Sequence, residues 1–210
     1  MFVKNLLIPK HKVFSLQLGQ SLEEAMNMLE SKEVDALPVL DKQKYVGVVT
    51  RYNIYKGLFD SGEEKETFLK KTDLTEVLSH QDKYLEGNEV FEQTLVELKD
   101  FPLLAVVDEK LNFLGVVTRF DVMEQFQSAF GVHRKGIRIA FTSVETEGRI
   151  ARLAEIIQQY HESVISLVTF DETDKLVRRI VLKIEKKDNI DKFITKLEKS
   201  GFRVLDIVED

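Results

Sequence analysis

Cysteine is absent from the 210 residues, which excludes thiolate catalysis, cysteine-based zinc sites and disulfide staples. Histidine is scarce: His11, His80, His133 and His161 share no helical ligand spacing, and no metal site is expected. No apolar run approaches the roughly 18 residues that a membrane-crossing helix needs. The opening "MFVKNLLIPKHK" is apolar too briefly for a signal peptide, so the cytoplasm is the expected location. A basic surplus is also missing. The formal net charge of −6 argues against a general DNA or RNA partner, while leaving room for a local basic pocket. Glycine-rich phosphate loops of the P-loop or dinucleotide type do not occur. The acidic groups Glu23/Glu24 and Glu63/Glu64/Glu66 read as a helix start and a solvated linker. With no catalytic constellation, the chain is not expected to be an enzyme.

What is present is an internal repeat. "GVVTRYNIY" begins at Gly47 and "GVVTRFDVM" at Gly115. Around them, "ALPVLDKQKYVGVVTRYNIYKGL" aligns with "LLAVVDEKLNFLGVVTRFDVMEQF". Each stretch reads as a hairpin: strands 37–40 and 46–50 in the first copy, 103–107 and 114–118 in the second. Helical spacing follows each hairpin. Upstream, "SLEEAMNMLESKEV" puts Leu22, Ala25, Met26 and Leu29 on one helix face, and Ser21 with Glu24 forms a capping box. "EVFEQTLVELKDF" repeats the pattern with Val90, Phe91, Leu95 and Leu98. Short extended lead-ins, "KVFSLQL" and "KYLEG", precede these helices. Each unit is therefore strand, helix, strand, strand, helix. The polar segment between the units contains "TDLTEVL", read as a lead-in helix.

Beyond "GVHRKG" the order changes to strand, helix, hairpin, helix, strand, with Gly201 just past the last helix. That βαββαβ order over about seventy residues is the ferredoxin-like arrangement. The expected fold class is α+β, with a boundary near residues 131–136.

A unit ending in Gly, two apolar residues, Thr, then Asp or Asn three positions on, present twice, resembles the CBS domain. Two such units pair into a disc-like Bateman module. The resemblance covers about residues 1–130 and implies a first CBS domain at 1–71 and a second at 72–132. Residues 136–210 resemble an ACT domain, whose usual Asp-x-Pro-Gly turn stands here as Glu145 to Gly148, with Glu147 in the proline's place. The CBS–CBS–ACT order is similar to AcuB-type acetoin-utilisation proteins and to cyclic di-AMP-binding CBS proteins of Gram-positive bacteria. It implies a homodimeric regulatory sensor of an adenine nucleotide, cyclic di-AMP foremost or else AMP, ADP or ATP, acting on an unidentified regulated protein. The alternatives are an amino-acid sensor working through the ACT domain and a regulator of acetoin or acetate metabolism.

The chemistry of Thr118-Arg119-Phe120-Asp121 supports two readings. Free amides at a helix start, a threonine hydroxyl and an arginine fork suit a phosphate, and the resemblance gives Asp121 the cis hydroxyls of a ribose. The same spacing is also a plain capping box, with Thr118 as cap and Asp121 bonding back. In CBS pairs one cleft joins the lead-in and first hairpin strand of one unit to the Thr-x-x-Asp of the other. The resemblance thus implies one nucleotide cleft of Lys12, Phe14, Ala36, Leu37, Pro38, Thr118, Arg119 and Asp121. There Lys12 would meet a phosphate and Phe14 an adenine face, while the backbone at 36–38 would read the adenine edge. A second, weaker cleft would use Tyr84, Leu85, Pro102, Leu103, Leu104, Thr50 and Arg51, with Asn53 a poorer ribose partner than a carboxylate.

Overall fold

A computed structural model of the chain describes residues 3–144, 146–172, 176–188 and 190–210. It divides into two compact units, Met1–Met123 and Glu124–Asp210.

The first unit carries the repeat. Its strands are β1 (Ile8–Pro9), β2 (Leu16–Gln17), β3 (Ala36–Asp41), β4 (Lys44–Thr50), β5 (Tyr84–Leu85), β6 (Leu103–Val107) and β7 (Phe113–Thr118). Its helices are α1 (Leu22–Ser31), α2 (Arg51–Ser61), α3 (Lys65–Lys71), the short α4 (Thr94–Glu97) and the start of α5 (Arg119–Ala129). Two sheets form, with strand orders β2-β3-β4 and β1-β7-β6-β5. Each contains one hairpin, and in each the lead-in strand lies parallel to the first hairpin strand, Leu16 beside Val39 and Leu85 beside Val106. A buried cluster including Ala36, Leu40, Tyr45, Val48, Phe101, Leu103, Ala105 and Val116 draws on both sheets. A second cluster holds α1, α2 and the inter-repeat segment together through Leu22, Met26, Leu29, Ile54, Phe68 and Val77.

The two repeats exchange their lead-ins. Ile8 and Pro9 pair with Val116 and Gly115 of β7, while Ser79, ahead of the second repeat, bridges Val48 of β4. This explains the duplicated glycine. Gly115 has φ +156°, and a Cβ there would lie 2.0 Å from the carbonyl oxygen of Ile8; at Gly47, φ +151°, it would meet the Ser79 oxygen at 3.1 Å. Only glycine permits the crossing chain to come so near.

Three elements depart from the sequence expectation. The helix expected over "EVFEQTLVELKDF" is reduced to a 3₁₀ turn (Phe91–Gln93) and the four residues of α4. Of the expected face, Leu98 is buried but Val90 and Leu95 are exposed, and Thr94, one turn before Leu98, is buried in their place; the Phe91 side chain lies outside the described residues. The apolar spacing suits more than one helical phase, and the interior accepted this one. The segment read as a solvated linker contains α3, whose Phe68 and Leu69 are buried. "TDLTEVL" forms a 3₁₀ turn, Leu74–Val77, capped by Asp73 and Glu76.

The second unit has β8 (Ile137–Val144), α6 (Arg149–Gln159), β9 (Val164–Glu172), β10 (Val177–Ile184), α7 (Ile190–Lys199) and β11 (Arg203–Glu209). Its antiparallel sheet has the order β11-β8-β10-β9. Ile139, Phe141, Leu153, Ile156, Leu182, Phe193 and Leu197 form its core. Of the turn before α6, Glu145 lies outside the described residues. Gly148 is the N-cap of α6 with φ +80°, a left-handed conformation suited to glycine.

Candidate functional site: a cavity shared by the two repeats

Both copies of Thr-Arg stand where a hairpin strand turns into a helix. In the first copy, Arg51 donates from Nε to Val34 O at 3.1 Å and from Nη2 to Leu29 O at 2.7 Å. Leu29 lies in the last turn of α1 and Val34 three residues past its end, and a cation suits that end of the helix dipole. In the second copy, Arg119 Nε donates to Leu98 O at 2.9 Å, just past α4. The backbone repeats as well: Arg51 N–H donates to Asp35 O and Arg119 N–H to Pro102 O. Each arginine thus ties its hairpin to the end of the preceding helix.

The threonines cap the helices they precede. Thr50 Oγ1 accepts from the Asn53 amide at 3.0 Å, and Thr118 Oγ1 from the Asp121 amide at 3.2 Å. In the second copy the box is reciprocal, because Asp121 Oδ2 accepts from the Thr118 N–H at 3.2 Å and from its hydroxyl. Asp121 therefore does cap the helix. A carboxylate has about four lone-pair sites, and Oδ1 accepts no hydrogen bond among the described residues.

Asn53 behaves differently. Its Nδ2 donates to Val77 O at 3.1 Å, tying α2 to the 3₁₀ turn that leads into the second repeat. A carboxylate has no donor for that carbonyl. The change from Asp to Asn between the copies therefore has a structural reason: the first copy's side chain must donate.

A cavity of about 520 Å³ joins the repeats, lined by Glu33, Val34, Asp35, Ala36, Pro102, Leu103, Thr118, Arg119, Phe120 and Met123. It brings together Ala36 at the start of β3 with Thr118 and Arg119, three of the eight residues expected in the first cleft. The other five do not line it. Leu37 is buried in the core around α1, and Pro38 is buried within β3. Lys12 is exposed. Phe14 is half exposed with Lys32 Nζ 4.9 Å from its ring centre, and Asp121 stands one turn into α5. Sequence reasoning missed Glu33, Val34 and Asp35, which follow the end of α1, and Phe120 and Met123, which face outward from α5. Phe120 is 72% exposed, and an apolar residue left outside a helix that already buries Val122 was the available signal.

The residues expected in the second cleft are dispersed. Leu103 and Pro102 line the first cavity, because the starts of β3 and β6 meet there. Tyr84, Leu85 and Leu104 line a separate cavity of about 680 Å³ with Asp82, Glu89, Glu97, Lys83, Gln93 and Val96. Three carboxylates against one lysine make that space unfavourable for an anion. Thr50 is buried, Arg51 is engaged at the end of α1, and Asn53 holds Val77. Beside this region His80 stacks on Phe101, ring centres 3.5 Å apart, and burial followed by nearby Lys83 holds its pKa below the ordinary imidazole value. Tyr45 donates to His80 O at 2.7 Å, and burial raises its phenol pKa well above normal.

Among the described residues no cluster of carboxylates and histidines could hold a metal ion, and no helix is long and apolar enough to cross a membrane. The geometry defines a class: a duplicated α+β module whose halves exchange lead-in strands and share an open cleft between the end of α1 and the start of α5.

Comparison with known proteins places that class. Residues 3–60 match the CBS domain family model. A CBS domain-containing protein of unknown function from Bacillus anthracis is 29% identical, with a TM-score of 0.55 over 60% of this chain and 93% of that one. The CbpB protein of Listeria monocytogenes, solved in complex with c-di-AMP, is 27% identical, with a TM-score of 0.53 over 60% of this chain and 94% of that one. Residues 3–60 thus match a CBS domain, and the repeat-bearing unit shares a Bateman-like fold with these neighbours. A curated relative, homoserine O-acetyltransferase of Methanohalobium evestigatum, is 27% identical over 124 residues, 58% of this chain and 23% of that protein. The chain thus spans about a quarter of that relative's length.

Proposed function

We propose that this protein is a non-catalytic regulatory sensor that binds an adenine nucleotide, cyclic di-AMP foremost, in the cavity between its repeats and thereby modulates a partner protein. The observation that carries this reading is the cavity joining Ala36 of one repeat to Thr118 and Arg119 of the other. The Nη groups of Arg119 supply phosphate donors at the start of α5, Asp121 Oδ1, just beyond the lining, a ribose acceptor, and Val34, Ala36, Leu103 and Met123 an apolar wall for a base. The complex of the Listeria relative with c-di-AMP supports the choice of ligand, as does the AMP complex of CBSX2, a neighbour alike in fold. A homodimer in the cytoplasm, built from CBS domains at 1–71 and 72–132 and an ACT domain at 136–210, completes the reading. The sheet order β11-β8-β10-β9 supports a ferredoxin-like ACT fold for the last of these. Regulation requires the nucleotide to prefer one of two conformations that the partner distinguishes.

A second reading makes the C-terminal unit an amino-acid sensor. It is favoured by a cavity of about 300 Å³ at the β8–α6 turn, lined by Ser143, Gly148, Arg149 and Arg178 among others. Arg149 is already engaged there with Ser143 Oγ, Ser200 O and Gly201 O, which favours the nucleotide reading. Calorimetry with cyclic di-AMP, AMP, ATP and a panel of amino acids separates the two. Adenine nucleotides are expected to bind, and Thr118→Ala and Arg119→Ala to weaken them. Binding of an amino acid with no nucleotide bound at hundreds of micromolar overturns the sensor proposed here.

A further inference from the structure

We propose, building on the nucleotide reading, that the cavity discriminates by phosphate number: it accepts nucleotides with one phosphate per nucleoside, as in AMP or a cyclic dinucleotide, and disfavours ADP and ATP. The basis is the charge of its wall. Three of its ten lining residues are ionised at neutral pH, Glu33, Asp35 and Arg119, so the lining carries two negative charges and one positive.

The fold fixes the backbone that carries the two carboxylates, while their side chains are exposed at the cleft. Glu33 sits just past α1 in the left-handed region, φ +53°, its amide held on Glu30 O at 3.2 Å, with the next amide, of Val34, on Leu29 O at 3.1 Å. The helix end thus fixes where its side chain starts. Asp35 follows two residues later. Arg51 Nε lies 3.8 Å from its Oδ1, but that guanidinium already donates to Val34 O and Leu29 O, so it offsets the charge only in part. On the opposite wall, Arg119 spends Nε on Leu98 O, and among the described residues its Nη groups are left for a ligand. Lys12, the other cation expected at a phosphate, is not among the lining residues.

One free guanidinium edge suits one phosphate. A phosphomonoester carries about two negative charges near neutral pH, and a phosphodiester, as in a cyclic dinucleotide, carries one. Each additional phosphoryl group adds charge with no further cation to receive it, in a cleft that also holds Glu33 and Asp35. Glu33 and Asp35 are exposed at this open cleft, so their repulsion of each added phosphoryl group is of the solvent-screened kind that salt weakens.

The test uses the full chain, without divalent cations, titrated calorimetrically with AMP, ADP, ATP and cyclic di-AMP at low and high salt. ATP is expected to bind at least ~10-fold more weakly than AMP, with ADP between them, and high salt is expected to narrow the gap. The double variant Glu33→Gln/Asp35→Asn should bring the ATP and AMP affinities within about threefold, mainly by strengthening ATP. Glu33→Gln alone, which leaves the Arg51–Asp35 pair intact, should narrow the gap part of the way. ATP binding as tightly as AMP to the native chain, or a ratio unchanged in both variants, overturns the inference while the nucleotide reading stands. Failure of every adenine nucleotide to bind at hundreds of micromolar overturns both.

Discussion

Asn53 donates from its side-chain amide to the backbone carbonyl of Val77, 3.1 Å away, and so ties the first helix after the Thr-Arg turn to the approach of the second repeat. The same position in the other repeat, Asp121, accepts from Thr118 instead. One position in the repeat has thus been turned from an acceptor into a donor, and the two copies have separate tasks.

Asn53→Asp should therefore destabilise the protein rather than equip a second cleft. The carboxylate faces the Val77 carbonyl without a proton to offer, leaving that acceptor unpaired at a cost of about 1–3 kcal/mol. Chemical denaturation is expected to show a lower midpoint, and calorimetry an unchanged stoichiometry. A gain of a second nucleotide site would contradict the assignment of Asn53 to the inter-repeat segment.

Gly115→Ala should be more damaging than Gly47→Ala. The added methyl meets the Ile8 carbonyl oxygen at 2.0 Å in one case and the Ser79 oxygen at 3.1 Å in the other. The first separation is impossible without moving β1 off β7, so a loss above ~3 kcal/mol is expected. Gly47→Ala requires only a shift of a few tenths of an ångström in addition to its backbone strain. Equal midpoints for the two variants in thermal unfolding would show that the exchanged lead-in contributes little to stability.

Asp121→Asn separates helix capping from ligand binding. The amide retains an oxygen for the Thr118 N–H, so the helix start is largely preserved, with losses within ~1 kcal/mol. The charge that would hold two ribose hydroxyls is gone, and affinity for an adenine nucleotide should fall about tenfold to a hundredfold, equivalent to ~1.5–3 kcal/mol. An unchanged affinity with a lowered melting temperature would assign Asp121 to the helix end alone.

Acid should weaken the fold in two stages. His80, half-buried and stacked on Phe101, has a pKa below its ordinary 6.5. A base so shifted contributes its full stability above the unfolded value and loses it as pH falls from 6.5 through the folded pKa. Three aspartates, Asp73, Asp108 and Asp210, lie below their ordinary 3.8. The hydrogen bonds that lower them come first from Thr75, Asn112 and Lys183 respectively. Their contribution is complete above pH 3.8 and declines below it. Stability measured against pH should show both declines, and His80→Gln should remove the upper one.

Much of this fold was legible locally. The hairpins of both repeats follow from apolar runs around a polar turn, and Ser21 with Glu24 does form the capping box its spacing announces. The short α4 was misjudged because four scattered apolar residues suit several helical phases, and burial of Thr94 and Leu98 selected one. Phe68 and Leu69 were hidden in a segment whose charges resemble a solvated linker. At the site, Thr118 and Arg119 were legible as residues of a helix start. Glu33 and Asp35 were not, because nothing in their neighbours announces that the end of α1 opens onto a cleft.

The sequence by itself determined what depends on near neighbours: the duplication, the hairpins and the helix caps, that of Thr118 and Asp121 among them. Only the tertiary structure decided what depends on distant partners. It placed Pro9 across Gly115 and Ser79 beside Val48, and it gave Arg51 and Arg119 the ends of preceding helices. It also turned Asn53 toward Val77. Such partners lie about twenty to more than a hundred residues apart, and no local propensity records them, because their energy exists only once the repeats have closed on each other.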